Sequence, residues 1–375
     1  MTGFSLSRIV AVMIKEMIQM RRDRLTFAMI IAIPVLQLVL FGYAINTDPR
    51  RLPTAVVAAD TGPLARSILA GMRASEYFDV IGDPVDEAEA ARLIRRGDVA
   101  YVLTIPTGFS RDVGRGETPA ILIQADATDP AATSGGVNAM SRLVERAVAR
   151  DVGGAATEQT QPAVEVIVHR LYNPEGITAF NIVPGLLGTI LTMTTILMTG
   201  LALTREVERG TMENLMAMPA RPHEIMIGKI VPYIGLGFLQ VAVILAAAAV
   251  LFRVPMEGPL LTLLGVTLIF IAANVTLGYT FSTVAHSQMQ AMQMTFFFFL
   301  PSILLSGFMF PFRGMPVWAQ WIGEAIPLTH FLRAVRAIML KGGGLFDVTQ
   351  HLWPLLAFWA AVATLALLRY RRTLD

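Results

Sequence analysis

The chain has 375 residues, of which 54% are hydrophobic and only 15% charged, with a formal net charge of +2 and no cysteine. Soluble globular domains carry about 25% charged residues, so a fully soluble protein, a disordered chain and a nucleic-acid binder are excluded together. Disulfides, thiolate metal sites and cysteine nucleophiles go with the missing cysteine.

At the start, Leu6, Ile9, Val10, Met13, Met17 and Met20 recur at helical spacing, while Arg8, Lys15 and Gln19 fall on other faces. Residues 1–24 fit an amphipathic helix lying in the cytoplasmic interface, or an inward extension of the first span; the expectation taken is the interfacial helix. A bilayer core about 30 Å thick takes roughly 20 apolar residues per helix. Leu25–Ile45 is the first uncharged run of that kind. It lacks the short apolar core and small-residue cleavage site of a signal peptide, so it is expected to persist as a helix kinked at Pro34.

Residues 46–176 hold 13 Arg, no Lys and 18 Asp plus Glu, a net of −5 that leaves +7 for the rest of the chain. Within them strand-like and helix-like stretches alternate. Strands are expected at Thr54–Ala59, Tyr77–Ile81, Val99–Ile105, Ala120–Ala125 and Val164–Leu171, with helices at Pro63–Arg73, Val85–Arg96 and Ser134–Asp151. This pattern predicts a water-facing α/β or α+β domain with its own core.

Five more apolar runs follow, at Ile177–Thr204, Ile230–Phe252, Leu260–Ser282, Met289–Phe310 and Leu352–Leu368. The predicted fold is therefore an α-helical polytopic membrane protein with six transmembrane helices and an inserted extracytoplasmic α/β domain. Twelve Lys and Arg on one side against five in the short loops of the other place both termini in the cytoplasm and residues 46–176 outside. Residues 311–351 are too apolar for a loop yet are broken by Pro311, Pro316 and Pro327, and carry Trp318 and Trp321. Short helices dipping into the outer leaflet are expected there, buried against protein. Arg333 and Arg336, three apart on one helix face, are expected to snorkel to lipid phosphates.

There is no G-x-x-x-x-G-K-[ST] segment, so the chain has no P-loop for ATP. His169, His223, His286, His330 and His351 are scattered without metal-ligand spacing, so no metal site is expected. No G-x-S-x-G elbow occurs, and the spans have no central Asp or Glu of the kind a proton- or sodium-coupled carrier uses. No catalytic residue is assigned.

A charged loop runs from Arg205 through Glu206, Glu208, Arg209, Gly210, Thr211, Glu213 and Leu215 to Pro219 and Pro222. Gly210 interrupts the helix leaving the membrane, Thr211 offers a cap and Leu215 an apolar face. The pattern fits both a docking helix for a cytoplasmic partner and an ordinary solvated loop. The second span holds Asn181, Thr192, Met193, Thr195 and Met198; the fifth holds Gln293, Phe297, Ser302 and Ser306. Neutral polar groups at that depth bond between helices or to backbone, or line a path among deformable apolar neighbours. These nine are the pathway candidates, with Pro301 expected to break the fifth helix near an outer gate.

Several of these segments resemble the permeases of type 2 ATP-binding-cassette exporters. They are Arg205-Glu206-x-Glu208-x-Gly210-Thr211-x-Glu213-x-Leu215 with Pro219, Gly228-Lys229-x-x-Pro232-Tyr233, Phe180-Asn181-x-Val183-Pro184-Gly185 and Pro301-x-x-x-Leu305-Ser306-Gly307-Phe308. Met315-Pro316-x-Trp318 and Pro327-Leu328-Thr329-His330-Phe331 belong to the same likeness, which spans nearly the whole chain and extends to the domain between the first two spans. Met218 and Ala220 around Pro219 depart from it, since the family more often has a hydroxyl residue before that proline. The resemblance implies a permease subunit exporting amphipathic or hydrophobic, drug-like or lipid-like compounds. ATP and Mg would sit on a partner ATPase, a second copy or paralogue would complete the assembly, membrane lipid would surround it, and a periplasmic adaptor remains an open partner. The resemblance places a coupling element within loop 205–229. Export of a glycan or lipid-linked polymer is the alternative within the class. A sensor or anchor with a ligand-binding outside domain is the alternative beyond it.

Overall fold

The computed structural model describes residues 51–75, 77–128, 130–151, 164–208 and 222–372. The expected interfacial helix at 1–24, the first span at 25–45 and the loop at 209–221 lie outside the described residues.

The first part is a mixed sheet of five strands, β1 (Leu52–Ala58), β2 (Phe78–Val80), β3 (Tyr101–Ile105), β4 (Ala120–Asp126) and β5 (Glu165–Leu171), in the order β2-β1-β3-β4-β5. β1 runs parallel to β2 and β3, β3 antiparallel to β4, and β4 parallel to β5. Four helices cover it: α1 (Pro63–Ala74), α2 (Glu87–Arg96), α3 (Phe109–Gly114) and α4 (Pro130–Asp151). The alternation of each strand divides its side chains between two cores. Leu52, Val56, Tyr101, Leu103 and Ile105 join a core under α1, α3 and α4, while Ala55, Val57 and Val102 pack with Ala90 and Ile94 of α2. Both faces of the central strands are therefore closed, and β5 forms a largely exposed edge.

Local chemistry explains α2. Asp86 accepts from the Glu89 N–H at 2.7 Å, Glu87 and Glu89 occupy the first turn, Arg95 and Arg96 the last, and Gly97 ends the helix at φ 79°. Each feature suits the orphan groups and the dipole of a helix. All five expected strands are present. Helix α3 was not expected, because six residues give no readable period. It is anchored by Phe109, fully buried behind the left-handed Gly108.

The rest is helical: α5 (Thr178–Glu208), α6 (Pro222–Leu251), α7 (Leu260–Ser282), α8 (Gln288–Leu305), a 3-10 turn at Phe312–Gly314, α9 (Val317–Ala325), α10 (Pro327–Lys341) and α11 (Leu345–Arg372). Among the described residues, four stretches are long and apolar enough to cross a membrane: Thr178–Ala202, Val231–Leu251, Leu260–Ser282 and Leu345–Arg369. The chain is an integral membrane protein. Helix α8 is less apolar than these four, because Gln288, Gln290 and Gln293 occupy its first half.

Two expectations about α8 need correction. The helix does not break at Pro301 but continues to Leu305, and it stops five residues short of Phe310. Pro301 is accommodated within the helix; one residue on, the Ser302 hydroxyl donates to the Phe298 carbonyl at 2.7 Å. The turn comes at Gly307, whose φ of 83° a residue with a Cβ adopts only under strain.

Helix α7 is the hub of the bundle, packed on α5, α6, α10 and α11. At Gly278 a Cβ would come within 2.6 Å of the Ile196 carbonyl oxygen, so α5 and α7 approach at backbone distance. Phe270 of α7 stacks on Phe331 of α10 with centroids 3.9 Å apart. Pro316 and Pro327 stand at the starts of α9 and α10, as their missing N–H groups favour.

Candidate functional site

The last turn of α5 presents Arg205 and Glu208, and opposite lies the start of α8. The Glu208 carboxylate accepts from the Gln288 backbone N–H at 2.7 Å and from its Nε2 at 2.5 Å. Arg205 Nε donates to Gln288 Oε1 at 3.4 Å. Ser287 caps the same helix, accepting from the Gln290 N–H at 3.2 Å. A carboxylate at a helix N-terminus meets unpaired N–H groups and the positive end of the dipole. Arg205 and Glu208 are exposed and Gln288 is half-buried, and each bond is worth about 1 kcal/mol or less, so the joint holds two helix ends in register without locking them.

Gln288 is the residue that sequence reasoning missed here. It directly precedes the apolar run Met289–Phe310, and nothing local links it to a glutamate 80 residues earlier. Of the expected coupling residues, Glu206 lies in α5, and Arg209, Gly210, Thr211, Glu213, Leu215 and Pro219 fall outside the described residues.

Among the described residues the nine pathway candidates lie on α5, on α8 and on the turn just past it. Thr192 and Thr195 are buried on α5 and donate to Gly188 and Leu191 carbonyls at 2.8 and 2.5 Å. Ser302 and Ser306 likewise turn back to α8 carbonyls. Met193 is half-buried, and Met198 is exposed on a stripe of α5 with Ile182, Leu186 and Ile190. Asn181 Oδ1 and Gln293 Oε1 are buried and have no hydrogen-bond partner among the described residues. Phe297 and Ser302 do meet, in an apolar pocket of about 430 Å³ walled also by Phe281, Phe298, Ile322 and Ile326.

At the other end of α8 the contacts are charged and packed. Glu324 receives two bonds from Arg333, at 2.8 and 3.1 Å, and the Arg333 guanidinium lies 4.4 Å from the centroid of the Phe312 ring. Arg336 reaches the Gly307 carbonyl at 3.4 Å. Arg333 and Arg336, expected to snorkel to lipid phosphates, meet acceptors of the chain itself, Glu324 and the turn at Gly307. Burial pushes the His330 imidazole below its ordinary pKa.

The sheet domain is fastened to this end. Lys341 at the end of α10 forms a buried ion pair with Asp126 of β4 and donates to the Ile94 carbonyl at 3.3 Å. Gln350 donates to the Arg96 carbonyl at 2.8 Å. Tyr172 covers Lys341, 5.3 Å from ammonium to ring centroid, and burial followed by the Asp126 charge pushes its phenol up to about 12.

Comparison with known proteins is consistent across the chain. The family described as ABC-2 family transporter protein matches residues 24–368. Similar proteins include the probable multidrug ABC transporter permease YbhS of Escherichia coli K12, 28% identical over 374 residues covering 98% of each chain. The probable multidrug ABC transporter permease YbhR of the same organism is 27% identical over 367 residues, 96% of each chain. The inner membrane transport permease YhhJ, also of Escherichia coli K12, is 32% identical over 336 residues, 86% of each. No solved structure matches the chain.

Proposed function

The chain belongs to the ABC-2 family of transporter proteins, and from that premise we propose that it is the permease subunit of an ATP-driven exporter of amphipathic or hydrophobic compounds. Drug-like or lipid-like molecules leave the cytoplasm or inner leaflet outward across the cytoplasmic membrane. Six helices cross that membrane, the first at 25–45, with both termini cytoplasmic and residues 46–176 outside. ATP and Mg are held by a separate ATPase subunit, which grips the loop around 205–222.

The observation that carries this reading is the joint between Arg205, Glu208 and Gln288. It ties the exit of α5, where the docking segment begins, to the first turn of α8. A push on the loop is thereby delivered to two helices at once, a two-state element biased by a ligand on another chain. The apolar stripe Ile182, Leu186, Ile190 and Met198, exposed on α5, supports a second copy or paralogue against this side. The names of two relatives, both multidrug permeases, support the substrate class.

The test is transport of a fluorescent cationic amphiphile into inside-out vesicles containing the chain and its ATPase. Glu213→Arg and Gly210→Pro are expected to abolish ATP-dependent uptake while the chain still assembles. Unchanged uptake in both variants would overturn the coupling assignment.

A further inference from the structure

We propose that the cavity between the sheet domain and the outer end of α8 is a binding site for a phosphate-type anionic headgroup. It measures about 420 Å³, within the usual range of small-ligand pockets of about 300–1,000 Å³. The sheet side supplies Arg96, Asp98 and Asp126; the helical side supplies Arg313, Arg333, Arg336 and Lys341. Five cationic side chains thus face two carboxylates, with Glu324 beside the cavity as a third that pairs with Arg333. Both lining carboxylates are engaged, Asp98 by Arg96 at 3.3 Å and Asp126 by Lys341.

Arg313 decides the ligand's sign. It stands on the 3-10 turn beside Arg333 and makes no hydrogen bond or salt bridge among the described residues, although it lines the cavity. Arg313 is exposed at the mouth of the cavity, and two neighbouring guanidinium groups there draw an anion that can reach both. Guanidinium forks match phosphate oxygens two at a time, which a point charge does not do.

A headgroup on a lipid and a soluble phosphate ester share this chemistry. The surroundings favour the lipid. Ser306, Pro311 and Phe312 form part of the wall just past α8, and the exposed Trp318 and Trp321 on α9 mark the depth of a membrane interface. One helical turn before Ser306, Ser302 lines the apolar pocket, so along α8 a polar cavity follows an apolar one in the order of an amphiphile's head and tail.

The site is tested by binding alone, without ATPase, so its failure leaves the permease reading untouched. The full chain is placed in nanodiscs with equal phosphatidylglycerol and phosphatidylcholine, and retained lipid is counted by native mass spectrometry. At least fivefold enrichment of phosphatidylglycerol is expected, lost in Arg313→Gln, reduced in Arg313→Lys and kept in Arg253→Gln, which lies outside the cavity. In lipid-depleted detergent, glycerol 3-phosphate is titrated into the unmodified chain. Binding competed by phosphatidylglycerol supports the shared site with a lipid source, and binding not so competed supports a soluble one. Equal retention of the two lipids together with no glycerol 3-phosphate binding, or enrichment unchanged in Arg313→Gln, would overturn the proposal.

Discussion

The two ends of α8 are held in opposite ways. At its start, a carboxylate and an amide meet at the surface, with Arg205 and Glu208 exposed and Gln288 half-buried. At its far end, Gly323 lies so close that an added Cβ would come within 2.6 Å of both the Leu305 carbonyl oxygen and the Phe312 ring, and Lys341 and Asp126 pair out of water. Exposed polar joints reform easily; packed glycine contacts and buried ion pairs do not. One helix therefore has a movable end next to the proposed docking loop and an anchored end next to the sheet domain.

The sharpest way to break this contrast is Glu208→Arg. The variant sets two guanidinium groups against Gln288 and removes the acceptor at the α8 N-terminus, and uptake in vesicles is expected to fall at least tenfold with the thermal midpoint unchanged. A midpoint drop equal to that of a core mutation would show that the joint is structural. At the anchored end, Lys341→Met leaves Asp126 charged and unpaired, which costs about 3 kcal/mol for a buried pair. Thermal unfolding followed by tryptophan fluorescence should show the loss, and adding Asp126→Asn should recover most of it. No recovery would mean that Lys341 acts through Tyr172 or the Ile94 carbonyl instead.

Gln288→Glu is milder. It places like charges together in solvent, so uptake should fall a few-fold without loss of folded protein. The smallest effect concerns Tyr172. Its folded pKa of about 12 lies above the unfolded value of about 10, so its contribution is complete below pH 10 and disappears as pH rises to 12. Tyr172→Phe should flatten the fall in stability across that window, measured by the same fluorescence.

What could be read from the sequence was whatever repeats over a few residues. The short apolar runs in Leu52–Ala58 and Ala120–Asp126, the acidic start and basic end of α2, the apolar runs of α5, α6, α7 and α11, and the prolines at the starts of α9 and α10 each carry a local signature. Contacts between distant segments carry none. The antiparallel setting of β4, the close approach at Gly278 and the partnership of Glu208 with Gln288 join residues dozens of positions apart. The end of α8 was misplaced because Phe308, Met309 and Phe310 continue its apolar pattern while Gly307 turns the backbone. The hydroxyls of Thr192, Thr195 and Ser302 bond carbonyls of their own helices, a choice that spacing alone does not reveal.

The claim on which the account rests is that this chain conducts but does not power transport. Purified chain is reconstituted in sealed vesicles with ATP, once alone and once with an ABC ATPase from the same host, and accumulation of a fluorescent amphiphile is recorded. The account predicts a flat trace for the chain alone and ATP-dependent accumulation once the ATPase is added. Accumulation against a gradient by the chain alone would contradict it.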